Sequence, residues 1–146
     1  MKIEYKTYVY FDSLLKKVED KESKSSLNRL LIDEIALSSR KYIRADKVRP
    51  VLKPSTIKSR KSQGISGTTP LLATGNLTRS IKATGKGLSF ANYGRYHRKG
   101  YTTAKGADVP AREFISIKAD EKEKSKIISK VRKRYVKLIN KNLRKR

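Results

Sequence analysis

Two long apolar stripes, separated by a heavily punctuated middle, organise this chain. From about Ser23 to Asp46, Leu27, Leu30, Leu31, Ile35 and Tyr42 follow one another at steps of 3, 1, 4 and 7. Those steps stay on one face of a 3.6-residue period, so the spacing predicts a long amphipathic helix, which Arg49-Pro50 ends. A second stripe, Ile127, Ile128, Val131, Tyr135, Leu138, Ile139 and Leu143, predicts another helix over about 119–144. Asp120, Glu121 and Glu123 gather at its start and cations at its end, the arrangement a helix dipole favours. Ahead of the first stripe, "IEYKTYVYF" is aromatic and β-prone and predicts a short strand or extended lead-in over 3–11. A short helix capped by Asp12 or Ser13 should follow, to about Asp20.

In the middle, Pro54, Gly64, Gly67, Pro70 and Gly75 interrupt any long element. Lys53-Pro54-Ser55-Thr56 predicts the start of a short basic helix reaching Ser62, with a Gly/Ser/Thr loop behind it. Thr74 suits an N-cap for a helical turn that stacks Leu77 under Ile81. "SIKATGKGLSFAN" reads as a hairpin around Gly85-Lys86-Gly87, "TTAKGAD" as a flexible loop, and Arg112 to Ile117 as a further strand. The order predicts one α+β domain over 1–146. It has N-terminal helices, a central hairpin plus further strand in a small antiparallel sheet, and a long basic C-terminal helix.

Charge changes the picture more than size does. The 146 residues carry a formal net charge of +24, with 36% apolar residues. Residues 1–47 hold 11 basic and 8 acidic side chains, residues 48–117 hold 13 and 2, and residues 118–146 hold 13 and 3. The basic character therefore lies in the middle and the tail, and it points to an acidic partner: nucleic acid, an anionic membrane or an acidic protein surface. With no cysteine, disulfides, thiolate metal sites and cysteine nucleophiles are excluded. No apolar run approaches the ~20 residues of a membrane span. The start, "MKIEYKTYVYF", carries Glu4 and no continuous apolar stretch, so a secretory signal is not expected.

"YGRYHRKG", Tyr93 to Gly100, holds the one histidine of the chain. Acid–base or nucleophilic work by His97 needs a carboxylate to orient the ring or a nucleophile for it to activate. Within 15 residues on either side the only acid is Asp108, while Arg95, Arg98 and Lys99 disfavour a second charge on the ring. A metal would need several carboxylates converging from a chain short of them. "TGKG" lacks the spacing of a phosphate-binding loop. No catalytic, metal or cofactor residues are therefore expected.

Nucleic acid fits the residues better. Lys124 to Arg146 contains eleven basic residues and no acidic one. Lys130, Lys133, Arg134, Lys137 and Lys141 fill the polar faces of the predicted helix and are candidates to meet phosphates or an acidic partner. Tyr93, Tyr96 and Tyr101, interleaved with Arg95, Arg98 and Lys99, could stack on or contact a strand. No helix-turn-helix, zinc-finger or RNA-recognition signature is present. The tail's apolar stripe lacks the Trp and Phe that anchor helices at lipid interfaces, so no membrane partner is expected. A stand-alone basic nucleic-acid-binding protein thus remains one reading.

A second reading comes from order. "PSTIKSRKSQG", "TPLLATGNLTRSI", "YGRYHRKG" and "VPAREFISI" follow one another between Pro54 and Ile117. In order and spacing they resemble the phage virion morphogenesis family, the tail completion proteins of Mu-like and related tailed phages. The matching positions are Pro70-Leu71; Thr74, Gly75, Asn76, Leu77, Ser80 and Ile81; Tyr93, His97 and Gly100; and Pro110, Ala111, Arg112 and Phe114. The chain departs from the family pattern at Glu113, where a second proline is usual, and at Arg98 and Lys99, where Gln and an aromatic are common. It also has no tryptophan ahead of the Ser/Thr helix.

The resemblance implies a structural protein of the head–tail junction or tail terminus, and no reaction. It would act in a homo-oligomeric ring, hexameric or dodecameric. Its partners would be portal or connector, tail terminator or tail-tube proteins, with packaged double-stranded DNA in the lumen. It would reside in the virion neck or tail after assembly in the host bacterial cytoplasm. On this reading Thr74, Gly75, Leu77, Tyr93, His97, Gly100, Pro110, Arg112 and Phe114 are architectural or subunit-interface residues. The His97 ring nitrogens would tie their loop to main-chain atoms, and Arg112 would bridge carboxylates or main-chain carbonyls.

Overall fold

The first stripe folds as its spacing requires. Helix α1 (Lys21–Arg44) turns Leu27, Leu31, Ile35 and Ile43 inward, each 3% exposed or less. The computed structural model describes residues 21–85 and 87–143. The strand expected at 3–11 and the helix expected up to Asp20 lie outside the described residues. Behind α1 come α2 (Pro54–Ser62), α3 (Asn76–Ser80), the strands β1 (Lys82–Thr84) and β2 (Gly87–Ser89), and α4 (Gly94–Lys99). Then follow β3 (Tyr101–Thr102), β4 (Asp108–Val109), α5 (Ser116–Ala119) and α6 (Glu121–Leu143). The architecture is α+β, with a long basic C-terminal helix.

α1 is the element on which the others rest. α6 packs along it, and α3, β1, β2 and α5 also touch it. Ile127 and Val131 of α6 meet Leu77, Ile81, Leu88, Phe114 and Ile115 in one continuous core. Burying a side chain of this size contributes about 1.5–3 kcal/mol, so the stripes dominate the fold's stability. Asp120 separates α5 from α6 and caps the latter. Its Oδ1 accepts from the N–H groups of Lys122 (2.8 Å) and Glu123 (3.3 Å), satisfying donors that a helix start leaves open.

The hairpin at 82–89 forms as expected, with Lys82 opposite Ser89 and Thr84 opposite Gly87. Two expectations around it need correction. "TTAKGAD" is more than a loop: β3 and β4 pair antiparallel at its ends, Tyr101 opposite Val109, as a second two-stranded sheet. Thr103 closes the turn, its Oγ1 accepting from the Ala107 N–H (3.0 Å) while its own N–H donates to the Ala107 carbonyl (2.9 Å).

The run Arg112 to Ile117 is not a strand. Its main-chain donors are claimed elsewhere: Arg112 N–H by the His97 carbonyl (2.7 Å), Ile115 N–H by Glu113 Oε1 (2.9 Å) and Ser116 N–H by Ser39 Oγ of α1 (3.1 Å). Its apolar side chains face the helices as coil and then as the single turn α5. β-propensity described their fit to a buried surface, and the surface available was α1.

Candidate functional site

"YGRYHRKG" folds as the helix α4 rather than a loop. Gly94 makes that possible by being small. A Cβ there would lie 2.8 Å from Phe90 Cδ2 and 3.0 Å from Leu77 Cδ1. Gly100 ends the helix at φ +76°, ψ 160°, a conformation essentially reserved for glycine. The returning chain then passes so close that a Cβ at Gly100 would sit 3.0 Å from both Ala111 N and Val109 O. This crossing lets Arg112 N–H reach the carbonyl of His97.

Arg112 is the anchor of the site. Its side chain is 5% exposed, and Nε donates to the Pro50 carbonyl at 2.8 Å while Nη2 donates to the Val51 carbonyl at 3.3 Å. The guanidinium fork therefore bridges main-chain carbonyls within one copy, as the sequence allowed. Burial, opposed in part by Tyr101 and reinforced by Arg60, pulls its pKa below the ordinary value.

His97 lies between two tyrosines, edge-on to Tyr93 (ring centroids 6.1 Å) and Tyr101 (5.5 Å). Its Nδ1 is buried without a hydrogen-bond partner, so that nitrogen ties the loop to nothing, against expectation. What ties the loop is the His97 main-chain carbonyl. Burial, and then the Arg112 guanidinium, hold the imidazole pKa below its usual value.

These groups border a cleft of about 450 Å³. Of the nine residues expected to be architectural or at a subunit interface, Thr74, Leu77, Tyr93, His97, Pro110 and Arg112 line it, although they come from three separate stretches of sequence. The other three stand behind. Phe114 is fully buried, edge-on to Phe90 at 5.2 Å, Gly100 sets the crossing, and Gly75 shapes the start of α3. The N-cap of α3 is Gly75 at φ +71°, one residue beyond the expected Thr74; Thr74 Oγ1 only reaches the Asn76 N–H at 3.4 Å. Sequence reading missed Lys53, Arg60 and Leu52, which also line it. Nothing in "PSTIKSRKS" marks Arg60 apart from its neighbours. Its role comes from Nη1 donating to the Gly67 and Thr69 carbonyls (3.3 and 3.0 Å), which fold the following loop back.

The candidate partner-contact cations divide into groups. Arg98 is turned inward, onto Glu113 of the same chain (Nη2 to Oε2 2.6 Å, Nε to Oε1 2.8 Å). Arg98 and Glu113 are two of the positions that depart from the pattern the chain resembles, and here they meet. Lys130 and Arg134 reach Glu34 of α1, at 3.1 and 3.3 Å; that carboxylate is 4% exposed as a residue. Lys99, Lys133 and Lys137 are exposed, Arg95 is half-buried, and Lys141 belongs to the last turn of α6.

Among the described residues no group of three or more His, Asp or Glu could hold a metal ion, and no helix is long and apolar enough to cross a membrane. Asp108 lines the cleft, its Oδ1 accepting from Thr102 Oγ1 (2.7 Å), while Glu113 is engaged by Arg98. No protein-family model, curated protein or solved structure matches the chain.

Proposed function

We propose that this chain is a structural subunit of the phage head–tail junction or tail terminus. It acts in tail completion and head–tail joining as a ring of identical copies. One observation carries the reading: the four sequence stretches that resemble the virion morphogenesis family converge on a single framework. That framework is held by Arg112 and by glycines at close crossings.

A closed ring needs two different contact surfaces per copy. The far part of α6 supplies a candidate for one, since Val136, Leu138 and Ile139 are 54%, 37% and 40% exposed after Val131 has entered the core. The exposed lysines beside them would face packaged DNA or acidic portal, terminator or tail-tube neighbours. The test is protein analysis of purified virions together with localisation of the subunit in images of the neck. Its absence from assembled particles, or a free monomer with a turnover of its own, would end this reading.

The exposed lysines of α6 also favour a second reading, a stand-alone nucleic-acid-binding protein. That reading requires duplex affinity that falls steeply with salt, and no incorporation into particles.

A further inference from the structure

The cleft contains an electrostatic anomaly. Arg112 is buried, yet among the described residues neither it nor Arg60 has a carboxylate within ion-pair distance. A buried cation is ordinarily compensated by an anion, because main-chain carbonyls offer dipoles and no opposite charge. Two of the Arg112 nitrogens are occupied by the Pro50 and Val51 carbonyls, and among the described residues Nη1 has no hydrogen-bond partner. Arg112 lines the cleft, so its fork is the group that an anion entering there would meet.

Arg60 lines the same cleft, and its guanidinium disfavours the charge on Arg112. Lys53 adds a third cation at the rim, against the single acid Asp108. The rest of the lining is half apolar, with Leu52, Leu71 and Val109 on the apolar side and Thr56, Asn76 and Tyr101 among the polar side chains.

We propose that this cleft binds a carboxylate side chain presented by an extended, otherwise apolar peptide segment of a partner protein. The carboxylate meets Arg112 Nη1 and Arg60, and its apolar neighbours lie on the leucine walls. A planar guanidinium matches a carboxylate's two oxygens, and a cleft of this volume lies within the ordinary range for ligand sites, about 300–1,000 Å³. A protein carboxylate fits better than a nucleic-acid phosphate. Leu52, Leu71 and Val109 suit apolar peptide side chains, and among the described residues none from the cationic helix α6 borders the cleft. The site does not depend on ring formation, so it stands or falls separately from the neck reading.

The experiment is an NMR titration of the isotope-labelled full chain with N-acetyl-Leu-Glu-Leu-amide and with its Gln counterpart. The Glu peptide should give saturable shifts at His97, Tyr101 and the Arg112 side chain. The Gln peptide should bind at least about tenfold more weakly, the scale of a lost charge-assisted pair. Arg60→Gln should weaken the Glu peptide by about tenfold while the rest of the spectrum keeps its dispersion; Lys53→Gln serves as a second variant if Arg60→Gln fails to fold. Equal binding of the two peptides, or no saturable shift from either, overturns the proposal. So does a response of the same cleft signals to inorganic phosphate or to a short DNA duplex that matches or exceeds the Glu peptide's.

Discussion

Replacing Gly100 with alanine tests the crossing that builds the site. The residue sits at φ +76°, ψ 160°, where any side chain costs about 1–3 kcal/mol in backbone strain. A new Cβ would also lie 3.0 Å from Ala111 N and Val109 O, both main-chain atoms that cannot rotate aside. Forcing them apart adds about 1–3 kcal/mol, as overpacking does elsewhere. The expected loss is therefore about 2–6 kcal/mol, a large share of the ~5–15 kcal/mol of a typical domain.

Gly106 provides the internal control. It has the same φ of +76°, but a Cβ there meets nothing within 4 Å. Gly106→Ala should lose only the conformational part, about 1–2 kcal/mol. Urea unfolding of the full chain, followed by circular dichroism, measures both. Hydrogen exchange should show the Arg112 amide, bonded to the His97 carbonyl, losing protection in Gly100→Ala alone. Equal destabilisation of the two variants, within about 0.5 kcal/mol, would refute the close-crossing argument.

Three further outcomes follow from the same geometry. Phe114→Ala should cost about 3–5 kcal/mol in the same urea assay, because a fully buried ring packed edge-on to Phe90 leaves a cavity; a loss under 1 kcal/mol would place that ring outside the core. His97 is harder to protonate folded than unfolded, so stability should decline as pH falls below the ordinary value of 6.5. His97→Gln should flatten that part of a stability–pH profile, and an unchanged slope would contradict the burial of the ring. The Glu123 pKa is lowered, first by its hydrogen bond from Lys47, at 2.7 Å. Its contribution should be complete above the unfolded carboxylate range and vanish as pH falls through the folded value, so Lys47→Met and the parent chain should converge in acid.

The α+β class and both long helices were legible in the sequence, within two residues at their ends. A periodic stripe states which face must be buried, and only a helix can bury it. The hairpin at 82–89 and the start of α2 at Pro54 were legible for local reasons, turn glycines and a fixed φ. The candidate site was half legible. The residues Thr74 to Arg112 could be named, but not their convergence on one cleft.

What only the tertiary structure decided are the features that depend on two distant segments meeting. Arg112 to Ile117 has the composition of a strand and lies as coil and a helical turn, because its donors are taken by His97, Glu113 and Ser39. Lys130 and Arg134 have the pattern of a solvated face and close on Glu34, almost a hundred positions earlier. Arg60 shares a cleft with Arg112 because the Arg112 fork ties its own segment to Pro50 and Val51, just ahead of α2. Periodicity and turn chemistry are fixed within a few neighbouring residues. The partner of a buried charge or an unpaired N–H is set by whichever segment packs against it.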